Sequence, residues 1–334
     1  HSFLDQLGKA FHFKPPLHHG YDTVHSIKAM HEGKVKVFFA MGGNFLSATP
    51  DTLYTAAALR NTDLTVHVST KLNRSHLVHG RRALILPCLG RTDKDFQNGK
   101  EQFVSCENSM GVVQQSKGVL SPPSKKLLSE VAIICGLAKA TLKKNSRVDW
   151  NSMQNDYDSI RDMIEQVVPG FEKYNERVRQ PAGFYLPNAA KEKNFKTTTG
   201  KAQFSALPLP AIKLNDGEFI LMTVRSHDQF NTTVYGMNDR YRGIYNERRI
   251  VMMHEEDMME QGFARHEMVD IISNYNGKMR IAERFIVVPM MIARGCVATY
   301  FPETNVLVAI DAVAKGSNTP ASKSVIVTLR KCTA

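Results

Sequence analysis

The chain has 334 residues, 43% hydrophobic and 22% charged, with a formal net charge of +11. This composition is globular and excludes disordered and fibrous classes; at about 150 residues per domain the length implies two domains. No apolar run reaches the ~18 residues of a membrane helix and no basic stretch with an apolar core opens the chain, so the expectation is a cytoplasmic protein without a membrane span or secretory leader.

In chain order, Ser2–Phe11 predicts a helix. A Pro/His/Gly loop over 15–20 leads to a second, where Val24, Ile27 and Met30 recur at helical spacing and Gly33 is the stop. Residues 35–40 form a short apolar run, read as a buried strand, with Met41-Gly42-Gly43-Asn44 directly after it. Thr49-Pro50-Asp51 then opens a helix to Arg60. Residues 64–68 predict a second strand, 69–79 a polar stretch with helical potential, and 83–86 a third strand stopped by Pro87. Strands alternating with helices predict an α/β layer on a parallel sheet.

Residues 90–125 read as polar loops. Glu130–Leu142 is amphipathic, with Val131, Ile134, Cys135 and Ala138 on one face, and 150–168 reads as one further helix ended by Pro169-Gly170. Residues 181–199 are irregular. Past Pro208 and Pro210 the texture turns to short β runs at 219–224, 249–253, 268–273, 285–288 and 325–329. These predict a small barrel or sandwich of about 120 residues after a boundary near 205–215.

The five cysteines, Cys88, Cys106, Cys135, Cys296 and Cys332, are dispersed and form no CxxC. A zinc ribbon or iron–sulfur ligand run cannot be built from them, and they fit reduced thiols in a cytoplasm. His67, His76 and His79 lack carboxylate or thiol companions in register and read as ordinary polar histidines. The basic excess is spread over pairs such as Lys125-Lys126, Lys143-Lys144 and Arg248-Arg249, read as solvated faces. Nucleic-acid binding would cluster Lys and Arg with aromatics between them. An anionic small molecule suits the chain better; a non-catalytic basic module for nucleic acid or a protein partner is the alternative class.

Four segments carry binding chemistry. Gly42-Gly43 just past a buried strand lets backbone N–H groups approach a phosphate, at the strand end where open α/β sheets bind ligands. Ser69-Thr70-Lys71-Leu72-Asn73-Arg74-Ser75-His76 gathers hydroxyls, an amide and two cations after the next strand, and serves equally as a polar helix start. Thr223 to Thr233, with Arg225, Ser226, His227, Asp228, Asn231 and Thr232, is far more polar than a hairpin needs and reads as a binding loop rather than an acid–base dyad. The stretches 300–305 and 318–323 are polar turns beside strong strand signals. No GxSxG, HExxH or SxxK occurs, so any redox or transfer chemistry belongs to a cofactor that the protein positions.

Several of these segments resemble one known family. VFFAMGGNFLSATPDT (37–52) resembles the "GxNP" segment of the third domain in molybdopterin-dinucleotide oxidoreductases, and HVSTKLNRSHL (67–77) and ALILPCLGRTDKD (83–95) resemble its next two strand segments. VRSHDQFNTTVYGMNDRYRGI (224–244), YFPETN (300–305) and SNTPASKSVIV (317–327) are similar to the YdeP-like branch, formate-dehydrogenase-like alpha subunits associated with acid resistance. The resemblance implies an α/β plus all-β protein: a partial, Rossmann-like α/β cofactor domain with its connector over 1–205, then a molybdopterin-dinucleotide-binding double-psi β-barrel over 206–334.

It also implies bis-molybdopterin guanine dinucleotide with molybdenum as cofactor. Gly42, Gly43 and Asn44 would approach one dinucleotide, with Thr70, Asn73 and Arg74 near its nucleotide end. Arg225, Ser226, His227, Asn231 and Thr232 would line it from the barrel side, completed by Asn305 and Lys323. Thr70 departs from the acidic residue that reads guanine in many relatives, because a hydroxyl cannot match the carboxylate's pairing with N1–H and N2–H₂. Family members are more than twice as long. The start at His1 therefore reads as the edge of a longer enzyme, whose missing N-terminal part would bring the 4Fe-4S cluster, the molybdenum ligand and the face for an electron-transfer partner.

Overall fold

Two kinds of parallel strand pair organise the molecule, one in an α/β layer and one inside a barrel. The computed structural model describes residues 2–142, 146–209, 211–232 and 234–332; of the features named above, His1, Lys143, Lys144, Pro210 and Thr233 lie outside the described residues. Helix α1 is Ser2–Phe11 and α2 is Thr23–His31. Asp22 caps α2 by accepting from the His25 amide at 2.9 Å, Val24, Ile27 and Met30 form its buried face, and Gly33 ends it at φ +71°. Strand β1 (Val37–Met41), the short α3 (Phe45–Ala48), α4 (Thr52–Arg60), β2 (Leu64–Ser69) and β3 (Arg82–Pro87) follow. They form a sheet of order β1-β2-β3, with β1 parallel to β2 from Val37 opposite Leu64 to Met41 opposite Val68. Val24, Ile27, Met30, Leu46, Ala58 and Leu59 pack in one core with Ile310, which comes from the segment before the last barrel strand.

The stretch predicted as polar loops holds four short strands: β4 (Asp95–Gln97), β5 (Lys100–Gln102), β6 (Val104–Glu107) and β7 (Val112–Ser116). Hairpin β4–β5 turns through Asn98 and Gly99, both at positive φ. Helix α5 is Glu130–Leu142 as predicted. The single helix expected over 150–168 is two, α6 (Trp150–Asn155) and α7 (Tyr157–Val167). Asp156 is extended between them at φ −149°, and its carboxylate caps α7 by accepting from the Asp158 amide at 3.0 Å. Helix α8 (Tyr174–Arg177) and β8 (Phe184–Tyr185), which pairs with β7, complete this part.

The later strands are β9 (Phe219–Val224), β10 (Ile250–Met253), β11 (Met268–Tyr275), β12 (Lys278–Pro289), β13 (Cys296–Tyr300) and β14 (Val325–Lys331), with helix α9 (Glu255–Glu260) after β10. They close a six-stranded barrel of order β10-β12-β11-β14-β9-β13. Two of its pairs are parallel, β9 with β13 and β10 with β12. Alternate side chains fill it, Phe219 and Leu221 from β9, Val251 and Met253 from β10, Val269 and Ile271 from β11. Asn276-Gly277 joins β11 to β12 as a two-residue turn with both residues at positive φ, the backbone that lets strands keep their twist through a tight hairpin.

Packing and chain order give different partitions. By sequence the chain divides into 1–205 and 206–334; by contact, one compact unit is 1–19 with 87–209 and the other is 20–86 with 210–334. The β1–β3 layer therefore belongs to the same unit as the barrel. Asp51 and Asn305 show why. Arg280 of β12 donates to Asp51 Oδ2 at 2.6 and 3.0 Å, Asn305 Nδ2 donates to Ser47 O at 2.8 Å, and the Asp51 amide donates to Asn305 O at 3.0 Å. Among the described residues no helix is long and apolar enough to cross a membrane.

Candidate functional site

Parallel strands that neighbour each other deliver their carboxyl ends side by side, and this rule builds the site twice. Gly42 and Gly43 leave β1 where Thr70 to Arg74 leave β2. Arg225 to Thr232 leave β9 where 301–305 leave β13. Strand β14 runs antiparallel to β9, so its start lies beside the end of β9, which brings Lys323 to Thr223.

On the α/β side, Gly42 and Gly43 sit at φ +67° and +73°, and a Cβ at either would meet nothing within 4 Å. Backbone conformation, not crowding, calls for glycine at both. The Gly42 amide donates to Val68 O at 2.8 Å, while no described residue accepts from the Gly43 amide. The second loop is tied to the first: Asn73 Nδ2 donates to Gly43 O at 2.8 Å, and Ser75 Oγ donates to Asn44 Oδ1 at 3.0 Å while accepting from the Leu46 amide at 2.9 Å. Asn73 also caps a 3-10 turn over Arg74–Leu77, accepting from the Ser75 amide at 3.0 Å, and its own amide donates to His76 Nδ1 at 3.0 Å. That acceptor role makes His76 the Nε2–H tautomer, which faces Ser69 Oγ at 3.2 Å. Beneath it His67 is 3% exposed with Nε2 unpartnered, and burial together with His76 holds its pKa below the ordinary 6.5. Thr70 and Arg74 stay exposed, and Arg74 makes no hydrogen bond or ion pair among the described residues.

On the barrel side, Arg225 donates to Asn231 Oδ1 at 2.9 Å and lies over the Phe301 ring, 5.7 Å from its centroid. The Lys323 ammonium donates to Thr223 O. Burial and the charge of Arg225 hold the Lys323 pKa below its usual range. Among the described residues no carboxylate bonds either cation. His227 is half-exposed, its ring 3.9 Å from that of Tyr241; its Nε2 is 3.6 Å from Asp228 Oδ1, too long for the hydrogen bond of an acid–base dyad.

The thirteen candidates thus divide. Gly42, Gly43, Thr70, Asn73 and Arg74 gather at one pair of strand ends, and Arg225, His227, Asn231 and Lys323 at the other. Asn44, Ser226, Thr232 and Asn305 are buried. The side chains of Asn44, Ser226 and Asn305 are engaged inside the fold: Asn44 on Ser75, Ser226 on Gln229 and Arg248, Asn305 on Ser47. Two surface cavities, about 330 Å³ beside β1 and α2 and about 540 Å³ beside α9, are lined by none of the thirteen.

One residue read as a solvated charge is the opposite. Arg248 is 3% exposed. It donates to Glu303 at 2.7 and 3.2 Å, Ser226 Oγ at 2.8 Å, Gln229 Oε1 at 3.1 Å and Phe301 O at 2.9 Å, with Tyr235 and Tyr300 rings 4.3 and 4.8 Å from its guanidinium carbon. The local signal was weak: Arg248-Arg249 stands just before an apolar strand, where an arginine is ordinarily a polar flank.

Comparison with known proteins agrees with this geometry. Residues 219–326 match the family described as Molydopterin dinucleotide binding domain, a span that begins with β9 and ends inside β14. An uncharacterized oxidoreductase of Mycobacterium tuberculosis is 50% identical over 333 residues, covering 98% of this chain and 43% of the relative. Protein YdeP of Escherichia coli strain K12 is 41% identical over 334 residues, 98% of this chain and 44% of its own. The chain therefore spans less than half the length of these curated relatives. Among solved structures, acetylene hydratase from Pelobacter acetylenicus shares the fold with a TM-score of 0.62 at 14% identity, over 99% of this chain and 50% of that one. With a dinucleotide-binding match on the barrel and relatives of this identity along its length, the chain belongs to the molybdopterin-dinucleotide oxidoreductase family, with the YdeP-like proteins among its relatives.

Proposed function

We propose that this chain is the cofactor-holding portion of a molybdenum-dependent oxidoreductase resembling formate dehydrogenase alpha subunits. Its two loop clusters hold bis-molybdopterin guanine dinucleotide between a Rossmann-like α/β layer and a barrel of double-psi type. The observation that carries this reading is that Lys323, bonded to Thr223 O, and Arg225, two residues further along the chain from Thr223, have no bonded carboxylate among the described residues. Neighbouring cations cost free energy until an anion joins them, and a pyrophosphate provides both the charge and several acceptor oxygens. The donor set on the opposite side fits the same ligand, with a Gly43 amide and an Arg74 guanidinium that have no hydrogen-bond acceptor among the described residues. The barrel's two parallel pairs among antiparallel ones support the double-psi assignment.

The bound group supplies two-electron redox chemistry at molybdenum. This chain's residues bind and orient it: Arg225, Lys323 and Arg74 neutralise phosphate, Gly42 and Gly43 let the backbone approach, and Asn73 fixes the distance between the loops. Thr70 offers guanine one hydroxyl where a carboxylate would accept two N–H bonds. The rest of the relatives' length would bring a 4Fe-4S cluster and the electron-transfer face, in a cytoplasmic enzyme whose setting is acid resistance.

The test is metal analysis and GMP release on the native full-length polypeptide. Molybdenum is expected with two GMP for each metal, and Arg225→Ala is expected to lower both several-fold, since one charge-assisted contact contributes ~1.5–3 kcal/mol. Native protein lacking both, or a variant with undiminished occupancy, overturns the reading. A nucleic-acid-binding module would instead retain affinity for RNA or DNA with no GMP released.

A further inference from the structure

We infer that Arg248 is the positioning residue of this anion site, a buried guanidinium that sets the placement of Arg225 through Gln229 and Asn231. The inference rests on reading these loops as a dinucleotide site.

The relay is continuous. Arg248 donates to Gln229 Oε1, which also accepts from the Ser226 amide at 3.0 Å and from Ser226 Oγ at 3.2 Å. The other end of the Gln229 amide donates to Asn231 O at 2.9 Å and Phe301 O at 2.7 Å. Asn231, at φ +50°, turns its Oδ1 to Arg225. One guanidinium thus fixes both ends of the loop that carries Arg225, and Glu303 and Phe301 pin it to the loop leaving β13. On its other side Arg248 lies under Tyr235, and the charges of Arg248 and Arg74 both act on that phenol. Only arginine has the planar five-donor fork to serve so many acceptors while stacking against rings; lysine would keep the charge opposite Glu303 and lose the rest. Burial obliges every donor of the guanidinium to find an acceptor, and beyond Glu303 those acceptors are the Ser226 and Gln229 side chains of the loop that carries Arg225 and the Phe301 carbonyl.

The test measures the affinity of inorganic pyrophosphate for the cofactor-free, full-length polypeptide in wild type, Arg225→Ala, Arg248→Lys and the double variant. Arg248→Lys is expected to weaken binding by about as much as Arg225→Ala, about ten- to a hundredfold, and the double variant by no more than either alone. General loosening of the fold would instead multiply the two losses. Gln229→Glu is the second variant, and the one used if Arg248→Lys does not fold: it keeps the acceptor toward Arg248 and sets lone pairs against the Asn231 and Phe301 carbonyls, with the same loss expected and the same lack of additivity with Arg225→Ala. Wild-type affinity in the folded positioning variants alongside a weakened Arg225→Ala overturns the role of Arg248 and leaves the anion site standing. Equal binding by wild type and Arg225→Ala, or none by wild type, overturns both.

Discussion

His67 is a buried histidine whose protonation is coupled to folding. It lies on β2 with its ring 4.8 Å from His76 and 6.0 Å from Phe38, and among the described residues nothing bonds Nε2. Its folded pKa is below the ordinary 6.5, with burial the larger cause and His76 the second. The unfolded chain therefore binds the His67 proton more readily than the folded one. Stability falls as pH drops through about 6.5 toward the folded value, by at most ~1.4 kcal/mol per pH unit, and is flat below it. His67→Leu, of similar volume and without a proton to gain, is expected to lose less melting temperature than wild type between pH 7 and 5 by differential scanning calorimetry. Parallel curves for the two proteins would assign the acid sensitivity elsewhere. In the loop above, His76 Nδ1 accepts from the Asn73 amide, so this ring is fixed by the loop that also bonds Gly43.

At the scale of elements, the start of α4 breaks a local rule and shows where the layer and barrel are fastened. An aspartate at a helix N-cap ordinarily accepts from the first amides of its helix. Asp51 is left-handed at φ +50° and makes no such bond, because its carboxylate turns to Arg280 and to the Ile310 amide. Both partners are nearly buried, at 10% and 8% side-chain exposure. Asp51→Ala leaves Arg280 without its counter-charge and is expected to cost ~3–5 kcal/mol in urea unfolding, whereas Asp51→Ala with Arg280→Met should cost less than the single change. A double variant less stable than the single would mean that packing, not the uncompensated charge, carries the cost.

How much was legible in the sequence follows from the same physics. Apolar periodicity marked α2, α5 and β1, and glycine after β1 marked the strand-end turn. The strands β4 and β5 escaped because Asp95–Gln97 and Lys100–Gln102 are only three residues long and hold a single apolar side chain, Phe96; Asn98-Gly99 and Asn276-Gly277 were the hairpin signals that could have located them and the β11–β12 turn. Arg225 and Lys323 lie in loops whose polarity stood out, and the family resemblance named them. The burial of Arg248, and the inward engagement of Asn44 and Asn305, depend on partners 12 to 258 positions away, which local pattern does not carry.

At the scale of the whole molecule, two opposed features bear on solution behaviour. Parallel sheets are ordinarily covered on both faces. Here Val37 of β1 and Leu84 and Ile85 of β3 are about half exposed, and the last residues of the unit that ends at Leu209 carry Phe204, Leu207 and Leu209 almost fully in solvent. Apolar surface of this kind marks an interaction area or an aggregation liability. Against it stands the net charge of +11, whose mutual repulsion keeps copies apart while the Debye length is long. The relatives have more than twice this length, and on the reading proposed above the additional chain covers these surfaces. The 334-residue chain by itself is then expected to bind more 1-anilinonaphthalene-8-sulfonate per mole than the full-length polypeptide. It should be monomeric by light scattering in 20 mM salt and associate as salt rises toward 0.5 M, where the screening length falls to a few ångströms. Equal dye binding by the two would show that the additional chain does not cover these faces, and association that weakens with salt would show that electrostatic attraction between copies outweighs them.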